Sequence, residues 1–442
     1  MKFRKFGKAL LMTAISAGVV FGISSCVQSY TVGFLYVTGT QTSSSTGQGV
    51  ISGFKIDHNT GKLTPINGLP VSSGGANPGR AVLLAGGRFL YVLNRGVSKD
   101  GAPCSPADPC QSNITQFAIG GNGVLSPQGT YFTQGLNPFR LLADGSGAHL
   151  YVLDHDAADN SSCSLVFGPQ ITRCGDVTVF TVDATTGRLS YVLNSQVTAA
   201  SGSPLPYFPV PADPIDFVFS SNFILTMSGT PATGDSVFPY AVNAGNGQLT
   251  VTQNSSQPLN INHGNAIVVA ASVIYVMDNG LNTNSPATHG QMYAYTAGSN
   301  GSLVAESSGY YAMDPTLSNP NYAISSNNGK WLYVLNEGDN TNPQVTQSGI
   351  APFTITGSPF QLTPIPNGGG NTSGTGAGPQ CILEDPSNQF VYTASFNGST
   401  VDGLRIDQNA GLLNPLSQNN KVKASYSLPG PAAWCVTTGR TN

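Results

Sequence analysis

The chain has 442 residues, with 18 Lys or Arg against 21 Asp or Glu and only 9% charged residues in all. Binding to phosphate backbones needs clustered Lys and Arg, so this balance excludes a nucleic-acid partner. The 53 Gly and 30 Pro serve turns better than helix interiors and point to a loop-rich β-protein.

The first element is a signal. Lys2, Arg4, Lys5 and Lys8 precede an uncharged apolar run from Ala9 to Ile23, the n-region and h-region of an export sequence. The run is shorter than the about 20 residues of a membrane span and ends at Ile23-Ser24-Ser25-Cys26, which resembles a bacterial lipobox. We therefore expect a signal peptide over 1–25, lipidation of Cys26, a tether over 26–33 and one domain over 34–442. This predicts an exported lipoprotein held on a membrane of the cell envelope through its lipid. Without the signal, 14 basic residues face 21 acidic ones, a net charge of −7. Six further cysteines suit an oxidising compartment. Cys104 with Cys110 and Cys163 with Cys174 are near enough to staple one loop each, which leaves Cys381 with Cys435 among 15 possible connectivities.

From residue 34 one phrase recurs. Its copies are Phe34-Leu35-Tyr36-Val37, Phe89-Leu90-Tyr91-Val92, His149-Leu150-Tyr151-Val152, Phe223-Ile224-Leu225-Thr226, Val273-Ile274-Tyr275-Val276, Trp331-Leu332-Tyr333-Val334 and Phe390-Val391-Tyr392-Thr393. Tyr-to-Tyr spacings, with Leu225 as the fourth, are 55, 60, 74, 50, 58 and 59, the length of a four-stranded propeller blade. Pro78, Pro138, Pro320 and Pro379 each stand 13 residues before their Tyr and open a strand A. The phrase itself is strand B. An alternating strand C follows, such as Ile51–Ile56 or Val177–Val182, then a turn and a strand D. The turn reads Asp57…Gly61-Lys62-Leu63, Asp183…Gly187-Arg188-Leu189 and Asp407…Gly411-Leu412-Leu413, with a weaker copy over 243–249 and Phe360 in place of the Gly in the sixth. Asp bonds its own turn and Gly accepts positive φ there. The first phrase lacks a strand A, and Pro431–Thr437 is a strand A with nothing after it. An all-β, seven-bladed propeller closed by its C-terminal strand is the consequence, and closure removes the open edge.

The Pro-led strand, the Leu-Tyr-Val strand and the Asp-x-x-x-Gly-x-Leu turn resemble the β-propeller lactonase family, which includes 6-phosphogluconolactonase and the fungal muconate-lactonizing enzyme. The resemblance covers nearly the whole mature chain. It implies a lactone hydrolase of the carboxylic ester type, working at the channel mouth with His, Glu and Arg. The strand-A starts carry no His at the second position after the Pro, and His263 falls just before the fifth, so only the arginines of that pattern match, at Arg80 and Arg140.

Strand-A starts and strand-B ends converge on one face of the ring. The second residues after the Pro are Arg80, Arg140, Asp216, Ala266, Tyr322, Cys381 and Ala433, and the third after the Tyr are Gly39, Asn94, Asp154, Ser228, Asp278, Asn336 and Ser395. Arg80 and Arg140 can clamp a carboxylate or phosphate, or Asp216 on the next blade can neutralise Arg140. Tyr322, Asn94 and Asn336 are further candidates for substrate binding, although the Asn, Asp and Ser series also suits backbone capping. Asp154-His155-Asp156 offers a base at His155 or Asp154, or a place to bind a cation, and Glu337 is a second acid or base. No metal or other cofactor is expected, and the chain is expected to be monomeric. One functional reading is hydrolysis of a small sugar-derived or anionic lactone. The other is a non-catalytic propeller that recognises an envelope glycan, peptide or protein through the long loops at 95–112 and 155–175.

Overall fold

The computed structural model describes residues 30–43, 47–84, 86–97, 110–199, 201–253, 255–259, 261, 263–279, 290–338, 348–356, 361–366, 373–416 and 424–440. Seven antiparallel sheets follow one another in chain order, each with strands A to D from the ring axis outward. The expected signal peptide over 1–25, Cys26, residues 98–109 of the loop expected at 95–112, with Cys104, and Phe360 lie outside the described residues. Among those described, no helix is long and apolar enough to cross a membrane. The first strand B, Thr31–Thr40, begins three residues inside the stretch expected as tether.

Closure is as the repeats predict: Ala432–Gly439 pairs antiparallel with Thr31–Thr40, with Val37 opposite Cys435 and Tyr36 opposite Val436. The core lies between blades. Phe34, Tyr36 and Ile51 of the first blade, for example, pack on Leu90, Val92 and Phe117 of the second.

Five of the six repeated Tyr are staples between neighbouring blades, while the buried hydroxyl of the sixth, Tyr275, has no partner among the described residues. Tyr36 donates its hydroxyl to the carbonyl of Gly123 at 2.8 Å, Tyr333 to Gly411 at 3.1 Å, Tyr392 to Gly61 at 2.7 Å and Tyr151 to Gly247 at 3.4 Å, and Tyr91 donates to Gly187. Each acceptor sits in the C–D turn of the next blade. These glycines have φ between 68° and 84°, and a Cβ on Gly411 would lie 2.4 Å from the Trp331 ring. Glycine is thus required twice, by conformation and by the aromatic ring that opens the neighbouring strand B.

The outer strand departs from the simple repeat. It runs unbroken in the second and fifth blades, Leu125–Tyr131 and Leu303–Ala312, but splits in two elsewhere, as in Leu63–Pro65 and Val71–Ala76. Pro65, Pro364 and Pro415 end the first pieces in three blades. A proline cannot donate to a ladder, and the edge strand is where a sheet tolerates it.

Two expected disulfides are present, Cys163–Cys174 and Cys381–Cys435, with Cα atoms 5.6 and 5.8 Å apart. Cys110 is also disulfide-bonded. By simple counting from the Pro, Cys381 and Cys435 leave the same face of successive blades, a geometry unsuited to bonding. The closing strand is in fact shifted by one: Ala432, not Pro431, pairs at the position Pro379 holds in the seventh blade. Trp434 therefore corresponds to Cys381, and Cys435 stands one residue further along. That offset lets the bond form between the innermost strands of the last and first blades.

Candidate active site at the channel mouth

Every strand A begins with a bulge opposite the end of strand B, for example between Pro320 and Tyr322, Pro379 and Cys381, and Pro214 and Asp216. The residue before the Pro holds positive φ at Asn77, Asn137, Asp213 and Asn319. A left-handed residue, then Pro, then one extra residue turns the first residue after the Pro, as well as the second, toward the axis.

With the shift in the closing strand, the second residues form a ring of Arg80, Arg140, Asp216, Ala266, Tyr322, Cys381 and Trp434. Trp434 takes the place that counting gave to Ala433. Asp216, fully buried, bonds Arg80 at 3.0 Å and Arg140 at 3.1 Å. The arginines are therefore joined through Asp216, and the neutralising bridge is realised for both. The Arg80 guanidinium carbon also lies 4.7 Å from the Trp434 ring centre and 5.7 Å from that of Tyr322. This group plugs the channel and divides it into cavities of about 610 Å³ on the mouth side and 440 Å³ on the other, Arg80 and Trp434 lining both. Tyr322 lines only the second.

The mouth cavity is lined by Arg80, Arg140, Arg95, Glu337, Gln380 and the amides Asn265 and Asn321, among others. Arg95 and Glu337 are the fourth residues after their Tyr and are held alike. The Arg95 N–H donates to the Asn77 carbonyl at 3.0 Å and that of Glu337 to Asn319 at 2.9 Å. The Asn77 and Asn319 side chains bond the next carbonyls, Gly96 and Gly338. Arg95 is exposed and makes no ion pair among the described residues. Glu337 accepts from Gln380 Nε2 at 3.0 Å, and burial raises its pKa above the usual glutamate value. Burial, then the neighbouring Arg80, draws Arg140 down to about 10, so it stays protonated at neutral pH. Three arginines and one aspartate leave the wall positive, opposite a carboxyl with increased proton affinity.

The other expected site residues point elsewhere. Asn94 is buried inside its blade, bonding Ser73, Asn113 and Thr115. Asn336 is likewise buried and donates to the Val334 carbonyl. Asp154 is buried between strands B and C of the third blade, beside Asp176 and Thr178. His155 stacks on Phe139 with ring centres 3.9 Å apart and does not line the mouth cavity. Burial, then the charge of Arg95, lowers its pKa. Asp156 turns outward to Asn137 and Arg173. The three neighbours 154–156 thus serve three different places.

Arg95, Gln380, Asn265 and Asn321 are the cavity residues that sequence reading missed. Arg95 carried a readable signal, since Leu93-Asn94-Arg95-Gly96 and Leu335-Asn336-Glu337-Gly338 are the same phrase with opposite charges. The three amides could not be read without the bulge.

The sequence model of the family described as "Lactonase, 7-bladed beta-propeller" matches residues 48–204 and 290–432. The chain belongs to the seven-bladed β-propeller lactonase family. No curated protein matches it. Among solved structures, the periplasmic gluconolactonase of Pseudomonas aeruginosa is 17% identical, with a TM-score of 0.63, 92% of this chain covered and 99% of the other. A Bacteroides fragilis protein, assigned only provisionally as a 6-phosphogluconolactonase, is 17% identical, with a TM-score of 0.62 and coverage of 92% and 98%. At such identity these likenesses establish the fold.

Proposed function

We propose that the mouth cavity binds a small anionic, sugar-derived acid or its lactone, and that the chain hydrolyses the lactone there. One observation carries this reading: the positive wall of Arg95 and the Arg80–Asp216–Arg140 group faces Glu337 across a single cavity. Family membership supports it. Arg95 and the free N–H groups of Arg140 hold the anionic group. Asn265, Asn321 and Gln380 offer amides to hydroxyls. Glu337, ionised, takes a proton from water as the water oxygen bonds to the lactone carbonyl carbon. The ring C–O bond then breaks, and the ring oxygen leaves as an alcohol once the proton is returned.

Turnover of a panel of sugar and aliphatic lactones, corrected for spontaneous hydrolysis, tests the proposal. Glu337→Gln should lower kcat by about 10²- to 10⁴-fold and leave binding of the anion nearly unchanged. Rates at the buffer blank across the panel, with the protein folded, would refute the hydrolytic reading.

Export and anchoring belong to the same proposal. The basic start, the apolar run and Ile23-Ser24-Ser25-Cys26 support an acylated Cys26 as the N-terminus of a membrane-held protein. Mass spectrometry of the membrane extract should find the acylated peptide, and a mature chain starting elsewhere would overturn it.

A further inference from the structure

Asp154 and Asp176 face each other at the last paired position of strands B and C in the third blade. Both are fully buried, and Asp154 Oδ1 and Asp176 Oδ2 have no hydrogen-bond partner among the described residues. The Thr178 hydroxyl lies 3.4 Å from a carboxyl oxygen of each, and it accepts from the Gln134 N–H. Two ionised carboxylates in such a place would repel each other, with only the Thr133 and Thr178 hydroxyls to offset the repulsion.

The second blade supplies an internal control. At the same register stand Asn94 and Asn113, with Thr115 where Thr178 is. There Asn94 Nδ2 donates to Asn113 Oδ1 at 2.9 Å and to Thr115 Oγ1 at 3.2 Å. A glycine closes each pair: a Cβ on Gly75 would lie 2.6 Å from Asn94 Cβ, and one on Gly135 2.1 Å from Asp176 Oδ2. The frame is the same, but the third blade lacks the N–H that joins the two side chains in the second.

We propose that a single proton, shared by Asp154 and Asp176, takes the place of that N–H, so that the pair is a proton-binding site carrying one negative charge at neutral pH. Burial pushes both groups well above the usual carboxylate range, and Asp154 pushes Asp176 further. The titratable groups acting on the pair are Asp156 on the same strand, Tyr207 ahead of the adjoining outer strand and Tyr240 on the fourth blade, none of them a cation. The pair is therefore a latch: it fastens the strand ends that carry His155 and Asp156, and it weakens as rising pH removes the proton. This inference does not depend on what the mouth binds.

The test is infrared spectroscopy of the full-length protein with aspartate isotopically labelled at its side-chain carboxyl carbon, which separates aspartate from Glu337 and Glu384. Wild type at neutral pH should show the carbonyl band of an un-ionised aspartic acid, and the band should fade at alkaline pH. It should be absent from Asp154→Asn/Asp176→Asn, a variant that reproduces the second blade. On heating, the difference in Tm between variant and wild type should move in the variant's favour from pH 6 to pH 9. No such band in wild type at neutral pH, or a band undiminished in the variant, would overturn the proposal. If the double variant does not fold, the single variants Asp154→Asn and Asp176→Asn are read in its place, and a band undiminished in either folded variant would overturn the proposal, its source then being another buried aspartate such as Asp235.

Discussion

At the scale of single residues, Tyr333 shows what the repeated phrase is for. Its hydroxyl reaches the Gly411 carbonyl on the next blade, so Tyr333→Phe removes one buried hydrogen bond and strands its acceptor. A loss of about 1 to 2 kcal/mol is expected in urea unfolding. Gly411→Ala should cost more, because it also forces positive φ on alanine and drives a Cβ into Trp331. Equal losses for the two would show that the ring contact is unimportant. The fourth copy, with Leu225, has no hydroxyl to donate. In the proposed hydrolysis Glu337 is the residue whose titration sets the rate. As a base it must be ionised, and its raised pKa places the acid limb of the rate profile above the usual glutamate range. Activity should fall as pH drops through that limb. A limb at the ordinary value, or one that survives in Glu337→Gln, would assign the base elsewhere.

The candidate site was legible only in part, and strand parity explains why. Successive strand residues face opposite sides, so of the neighbours Asn336 and Glu337 only the second reaches the mouth. The same holds for Asn94 and Arg95. Reading the third residue after the Tyr as a rim position selected Asn94, Asp154 and Asn336, which are buried within their blades, while Glu337 was singled out only as the acid that follows Asn336. Arg80, Arg140 and Asp216 were legible because they are charged at a repeated place; the Arg140–Asp216 bridge follows from adjacent blades, whereas Arg80 reaches Asp216 past the intervening third blade.

At the scale of elements, the bulge at each strand-A start does most to shape the site. It leaves no composition signal beyond the Asn-Pro or Asp-Pro pair, so Asn265, Asn321 and Gln380 stayed hidden. The loop at 155–175 was legible as a stapled insertion. It contains a short helix, Ser161–Phe167, and the Cys163–Cys174 bond, and it packs on Val197, Leu205 and Tyr207 in a small core of its own. Cys163→Ser/Cys174→Ser should destabilise it by about 3 kcal/mol on the loop-entropy scale. Limited proteolysis should then cut within 155–175 before the blades. Cleavage there at the wild-type rate would mean that the small core holds the loop unaided.

For the whole molecule, the repeats and the unmatched end strands made the ring and its closure readable. The register of the closing strand was not readable, because a shift by one residue leaves the apolar pattern of Ala432–Gly439 usable on either face. That shift brings Trp434 against Arg80 and Cys435 against Cys381. The bond spans 54 residues, for which chain entropy gives about 4 kcal/mol, and it fastens the last blade to the first. Cys381→Ala/Cys435→Ala should lower Tm and leave ring closure intact, since Ala432–Gly439 still pairs with Thr31–Thr40. The same shift completes the plug under the positive mouth, on which the central claim rests. Calorimetric titration of a phosphorylated aldonic acid into wild type and Arg95→Ala tests that claim most directly, because Arg95 has no ion pair among the described residues and its removal leaves Asp216 paired. Wild type should bind the acid, and Arg95→Ala should bind about 10- to 100-fold more weakly, the effect of one charge-assisted contact. No binding to folded wild type, or equal binding to both, would contradict it.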